Sequence, residues 1–263
     1  MSNVLPRPDY KTLTERQLGK LKPWHTVEPK MDGIWCEVQI ADGTAIGYSR
    51  TGQEKARWSV PSDIVATLHG ELLIGSTWAK ERGITGQLHL FDCTQLHGVD
   101  VTGAAQSHRR ELAAAVVAQV EGWQMVPCWA GPDALAVWAD LVVIQDYEGL
   151  VVKDSRAKWG IGWSRCKAQV DHDYICMGWE YGTGKNCALP VSIVCGLYVD
   201  GVLSPVGKVF GLAQEAETIR ANPERYRGRV FSAIGNRRFA SGALRHGVFC
   251  GWHKDKPASA CKL

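Results

Sequence analysis

The chain has 263 residues, 45% hydrophobic and 22% charged, with 30 basic and 27 acidic side chains that leave a formal net charge of +3. That length holds one large domain or two modest ones, and the near balance of charge neither requires a nucleic-acid partner nor prevents one where basic residues cluster. No apolar run approaches the roughly 20 residues of a membrane-spanning helix, and the nine cysteines form no CxxC pair, which argues against structural zinc and for reduced thiols.

The first apolar stretch, VEPKMDGIWCEV at 27–38, carries Lys30, Asp32 and Gly33 in its middle. Beyond them IWCEVQI and TAIGYSR alternate well enough to be strands, and the ADG between them predicts a hairpin. LHGELLIG and QLHLFDC read as two more strands. RRELAAAVVAQV is Ala-rich with charges at its start and predicts a helix. MVPCW predicts a short strand, and DALAVWADLVVIQ a second helix opened by Gly-Pro-Asp. YEGLVVKD and WSRCKA are strand-like again.

From Asp173 the character changes. YICMGWEYG, SIVCGLYV, VLSPVGKVF and RVFSAIG are short strands between glycine-rich turns, interrupted by one helical segment, AQEAETIRAN. The pattern predicts an α+β protein of two domains: residues 1–171 with antiparallel sheets and flanking helices, and residues 172–263 as a small β-barrel.

Charged residues interrupt several of the apolar strands: Lys30 and Asp32, Glu71, Asp92, Glu148, Arg165 and Lys167. Arg165 and Lys167 are two apart on one strand and so share a face. Together these residues supply a nucleophile, carboxylates and cations, a set able to hold a nucleotide phosphate and a divalent metal.

In this order KMDG, SRTG, HGEL, LFD, EGLVVK and WSRCK resemble the motifs of the covalent nucleotidyltransferases, which comprise DNA ligases, RNA ligases and mRNA capping enzymes. The ending LRHGVFCGWHKDKP is similar to that of minimal ATP-dependent DNA ligases of phage and bacterial type. The resemblance covers about residues 24 to 257. It implies a nucleotidyltransferase (adenylation) domain followed by an OB-fold β-barrel. It also implies ATP as nucleotide, Mg²⁺ as metal with Mn²⁺ as a substitute, and nicked duplex DNA as partner.

By the same resemblance Lys30 is the nucleophile that takes up AMP, and Asp32 supports later chemistry at the nick. Glu28, Pro29, Lys30, Arg50, Glu71, Phe91, Glu148, Arg165 and Lys167 bind the nucleotide, with Phe91 stacking the base and Lys167 on the α-phosphate. Glu71 and Glu148 serve the metal. His253, Asp255 and Lys256 orient the pyrophosphate. The arginines of the last third, Arg227, Arg237, Arg238 and Arg245, are candidate contacts to DNA phosphates. The amine must be unprotonated to attack, a form that neighbouring cations and a bound metal favour.

Three positions depart from the family pattern. Trp35 stands where an arginine usually grips the nucleotide. Arg165 replaces a lysine, keeping charge but exchanging a point charge for a flat fork. His253 replaces an arginine that meets the leaving pyrophosphate. Only 29 residues precede Lys30, fewer than a nicotinamide-recognising domain needs, so ATP is expected rather than NAD. The reading is a monomeric cytoplasmic DNA ligase without a membrane partner. An RNA ligase, a GTP-using capping enzyme and a decayed binding module are its rivals.

Overall fold

The computed structural model describes residues 4–6, 8–184 and 187–263. The chain divides into two compact units, Met1–Lys167 and Ala168–Leu263. No described helix is long and apolar enough to cross a membrane.

The first unit is α+β, with two sheets. One has the order Lys11–Thr12, Trp163–Lys167, Gly149–Asp154, His25–Pro29, Trp129–Ala130. The other runs Glu54–Ser59, Thr44–Ser49, Ile34–Ala41, Ala66–Leu72, Leu88–Leu96, Val99–Asp100, and Gln124–Met125 adds to it beside Leu88–Leu96. The alternation in IWCEVQI has its expected consequence. Cys36, Val38 and Ile40 pack with Leu68, Leu90 and the helix residues Ala113, Val116 and Val117 in one core.

That helix spans Gln106–Val117, three residues earlier than its Ala-rich sequence predicts. The early start buries Arg109 completely, where its guanidinium donates to both carboxylate oxygens of Asp92 at 2.8 and 3.0 Å. Asp92 is therefore a structural residue. Burial pushes its carboxyl up, against the pull of Arg109 and Lys153. The second predicted helix is not one regular element. It is a 3₁₀ turn at Gly131–Asp133, one α-turn at Ala134–Val137 and a π-helix at Trp138–Ile144. The widened turns bury Leu141 and Val142 while Val143 and Ile144 face outward.

The second unit is a five-stranded antiparallel sheet in the order Val202–Val209, Pro190–Val199, Val170–Tyr181, Val230–Gly235, Val248–Trp252, with a two-stranded ribbon of Arg237–Arg238 and Leu244–Arg245. Tyr174, Ile193, Leu197 and Phe231 fill its core, and Ile219 of the short helix Ala216–Ala221 packs against them. The expected OB-fold β-barrel is not formed. No sheet closes on itself: the outer strands Val202–Val209 and Val248–Trp252 are not partners, and beyond the first of them a single bridge joins Phe210 to Val248. Short alternating strands foretell a sheet. Whether its two rims bond to each other depends on bend and stagger, which alternation does not encode.

Candidate active site

The first unit brings its motifs together through strand register. Lys30 leaves the strand His25–Pro29, which pairs with Gly149–Asp154 so that Leu150 faces Pro29 and Val151 faces Glu28. The Lys30 amide donates to the Gly149 carbonyl at 2.8 Å. Gly149–Asp154 pairs in turn with Trp163–Lys167, placing Gly149 opposite Lys167. Two motif glycines allow these approaches. A Cβ on Gly149 would lie 2.1 Å from the Cys166 carbonyl oxygen, and one on Gly33 would lie 2.4 Å from that of Leu72.

Glu148 is the hub. Its Oε2 lies 2.5 Å from Lys30 Nζ and its Oε1 2.7 Å from Lys167 Nζ. The carboxylate is buried, whereas Lys30 keeps 14% of its side chain exposed. Burial pushes the Glu148 carboxyl up, but the two lysines together pull it further down, below the usual carboxylate range. Arg165 is half-buried on the face it shares with Lys167, beside Val151.

Beside Lys30 lies a narrow recess lined by Tyr10, Glu28, Pro29, Glu71, Phe91 and Trp163. Lys153 is 1% exposed there, its ammonium 4.4 Å from the Phe91 ring centre and 4.3 Å from that of Trp163. The Glu28 carboxylate holds it at 2.7 Å and reaches Arg110 with the other oxygen at 2.8 Å. Recess and hub thus hold Glu28, Pro29, Lys30, Glu71, Phe91, Glu148 and Lys167. Arg50 is exposed just beyond Thr44–Ser49 and does not line the recess. Asp32 accepts a hydrogen bond from the Ser76 hydroxyl. A larger hollow on the same unit, lined by Gln39, Tyr48, Arg57 and Thr67, holds none of the motif residues.

Trp35 does not stand in for the nucleotide-gripping arginine. It is 4% exposed and packs with Met31, Leu73, Trp78 and Phe91. It also contacts His69, itself stacked on Trp159. Burial, with help from Arg109 and Lys153, pushes His69 down to about 3, so it is a neutral spacer.

The fit to Mg²⁺ is incomplete. Both Glu148 oxygens already face lysines, and no group of three His, Cys, Asp or Glu that could hold a metal occurs among the described residues. Glu71 and Glu148 are the carboxylates at hand, and Mg²⁺ bound by one or two carboxylates completes its octahedron with phosphates and water.

In the second unit His253 and Lys256 converge on Asp173. His253 Nε2 lies 2.7 Å from one of its oxygens, and Lys256 Nζ bonds the other. Asp255 is exposed. Arg237 and Arg245 lie directly opposite each other in the two-stranded ribbon, and Arg238 faces Leu244. Arg227 donates to the Met177 carbonyl at 2.9 Å and pairs with Glu224 at 3.4 Å. Lys153 ends the EGLVVK motif, and its burial between Phe91 and Trp163 fits a mainly structural place. Arg110, Ser76 and Asp173 carry no signal in the sequence that marks them as part of a site.

No family model and no curated protein matches the chain. Solved structures do match. A Lig E DNA ligase superposes with a TM-score of 0.67 at 18% identity, over 95% of this chain and 100% of that one. A mycobacterial DNA ligase D complexed with ATP superposes at 0.55 and 18%, over 98% of each chain. The ligase domain of LigD from M. tuberculosis superposes at 0.52 and 17%, over 96% of this chain and 97% of that one. The fold of this chain is the fold of these DNA ligases.

Proposed function

We propose that the protein is an ATP-dependent DNA ligase that seals 5′-phosphate/3′-hydroxyl nicks in duplex DNA. The observation that carries this reading is the Lys30 amine, held by Glu148 at the rim of an aromatic-walled recess, with Lys167 on the same carboxylate. In the first step the Lys30 amine attacks the α-phosphorus of ATP. A P–N bond forms, the P–O bond to pyrophosphate breaks, and the amine loses its proton. Lys167 and Arg165 offset the charge on the phosphate. Phe91 stacks the base, and Glu28 and Glu71 meet the nucleoside.

An oxygen of the 5′-phosphate at the nick then attacks the AMP phosphorus, the P–N bond breaks, and the Lys30 amine leaves and takes up a proton. The 3′-hydroxyl attacks the phosphorus of that 5′-phosphate, AMP leaves, and Asp32 accepts the hydrogen bond of the attacking hydroxyl. His253, Asp255 and Lys256 serve the pyrophosphate in the first step. Arg227, Arg237, Arg238 and Arg245 hold DNA phosphates. Mg²⁺ supplies charge neutralisation on the phosphates when bound.

The test is incubation with labelled ATP or GTP and Mg²⁺, denaturation, and a search for label on the protein, followed by sealing of matched DNA and RNA nicks. Label from ATP with sealing of DNA supports the reading. Label from GTP points to a capping enzyme, and sealing of RNA alone to an RNA ligase. Absence of label with retained nucleic-acid binding points to a module without chemistry, the reading that the buried Trp35 favours.

A further inference from the structure

The geometry points to Ser76 as a positioning residue that holds Asp32 for the sealing step; this rests on the ligase reading above. Asp32 lies on the link 30–33 between the strands His25–Pro29 and Ile34–Ala41, outside regular structure. A carboxylate on such a link needs an outside partner to keep one orientation.

Ser76 is one such partner, and its chemistry fixes the direction of the bond. It is the N-cap of the short helix Thr77–Glu81, where its Oγ accepts the Ala79 amide proton at 3.2 Å. A hydroxyl has one proton to give. With Oγ already accepting from Ala79, that proton points to Asp32 Oδ2. A bond donated to an ionised carboxylate is among the stronger side-chain hydrogen bonds.

The helix that carries Ser76 is pinned on both sides. Trp78 is 2% exposed in the aromatic core beside the recess, with its ring 4.7 Å from that of Tyr147. Arg82 lies over Trp78 at 4.5 Å and donates to the Gln145 carbonyl at 2.5 Å. Tyr147 and Gln145 lead directly into Glu148. One small brace therefore touches both the Asp32 carboxylate and the segment that delivers Glu148 to Lys30. None of its residues belongs to the recess lining.

The test separates this role from helix capping. Ser76→Asp keeps an N-cap of equal quality, but it replaces the donor with an acceptor and sets a second carboxylate against Asp32. Ser76→Thr keeps the hydroxyl. Three quantities are measured on the full chain: uptake of label from ATP, single-turnover sealing of a pre-adenylated DNA nick, and thermal midpoint. Ser76→Asp is expected to slow sealing by about tenfold or more and to lower the midpoint, because two carboxylates then face each other, with affinity for the nick and label uptake unchanged, and Ser76→Thr to restore sealing. A second measurement stands even if Ser76→Asp folds poorly: Ser76→Ala should slow sealing in the natural chain and cause no further loss in an Asp32→Asn background.

Ser76→Asp sealing at the natural rate, parallel losses in both steps, or additive losses in the double variant would overturn the assignment. A natural chain that neither takes up label nor seals the pre-adenylated nick overturns the ligase reading itself, and this inference falls with it.

Discussion

Lys30 and Glu148 stand 118 residues apart in the chain and meet at 2.5 Å. The carboxylate is buried and spends its other oxygen on Lys167 at 2.7 Å, so one acid holds two cations from opposite ends of the first unit. Without Glu148 the two ammonium groups would face each other with no counter-ion between them. On the proposed ligase reading, the Lys30 amine is held in position before a nucleotide arrives, and an arriving phosphate offers Lys167 an alternative partner.

Replacing Lys30 by Ala should abolish the AMP adduct and leave sealing of pre-adenylated nicks largely intact, because only the first step uses the amine. Denaturing gels after incubation with labelled ATP check the first half, and a pre-adenylated duplex the second. An adduct that survives in the variant means that another side chain is the nucleophile.

The Glu148 carboxyl is depressed below its ordinary value of 4.5, since Lys30 and Lys167 outweigh burial. A carboxyl with a lower pKa folded than unfolded contributes stability above the unfolded value and loses it as pH falls through the folded one. The stability difference between the natural chain and Glu148→Gln should therefore be level from about pH 7 to pH 5.5 and shrink below about pH 4.5. Denaturant midpoints across that range measure it. A difference that widens toward acid contradicts the ion-pair account.

Gly33→Ala tests the close approach between the Lys30 link and the Glu71 strand. Its new Cβ would meet the Leu72 carbonyl oxygen at 2.4 Å and the Glu71 side chain at 3.0 Å. Overpacking of this kind costs about 1–3 kcal/mol. The variant should unfold at lower denaturant and form adduct more slowly, because relief of the clash shifts Glu71. An unchanged midpoint would mean that the strands separate freely at this point.

His253→Arg should speed adduct formation by roughly tenfold, the worth of an added charge-assisted hydrogen bond, without changing the sealing of pre-adenylated nicks. Asp173 engages the Nε2 edge of the His253 ring. A guanidinium in its place satisfies Asp173 and still has donors left for a pyrophosphate. Single-turnover adenylation of His253→Arg beside Asp173→Asn decides the matter. Equal rates in both variants and the natural chain would remove His253 from the first step.

DNA affinity should fall steeply with salt, because phosphate contacts release counterions. Arg237 and Arg245 lie directly opposite one another in the two-stranded ribbon, which places two cations side by side. Removing Arg245 should weaken binding on every sequence and reduce the slope of log K against log salt by about 1. A slope unchanged in Arg245→Ala would place the DNA contacts elsewhere.

Much of the first unit was legible because its motif residues break rules that the surrounding strands obey. Lys30, Glu148 and Lys167 interrupt apolar runs, and the structure gathers them on one carboxylate. What could not be read were consequences of long-range packing. Trp35 looked like a missing grip and is a core residue. Asp92 looked like a candidate acid and is the partner of the buried Arg109. The segment Trp138–Ile144 carries a helical pattern, yet nothing in a one-dimensional pattern separates α from π winding. The open sheet of the second unit belongs to the same class, since rim pairing joins strands separated by some 40 residues of chain.

That open sheet leaves the edge of Val202–Val209, and the part of Val248–Trp252 beyond its bridge to Phe210, able to recruit a foreign chain, the geometry from which aggregates grow. Each edge carries its own deterrent. On Val202–Val209, Pro205 removes a backbone donor, and Lys208 is engaged with Glu180 at 2.9 Å. A bulge at Cys195/Gly196 disturbs the pairing of its neighbour strand opposite that proline. Val248–Trp252 is only five residues long and contains Gly251. Val202, Leu203 and Val248 are the large apolar residues exposed on these edges. Pro205→Val would return a backbone donor to the middle of this edge, and self-association at high concentration should rise.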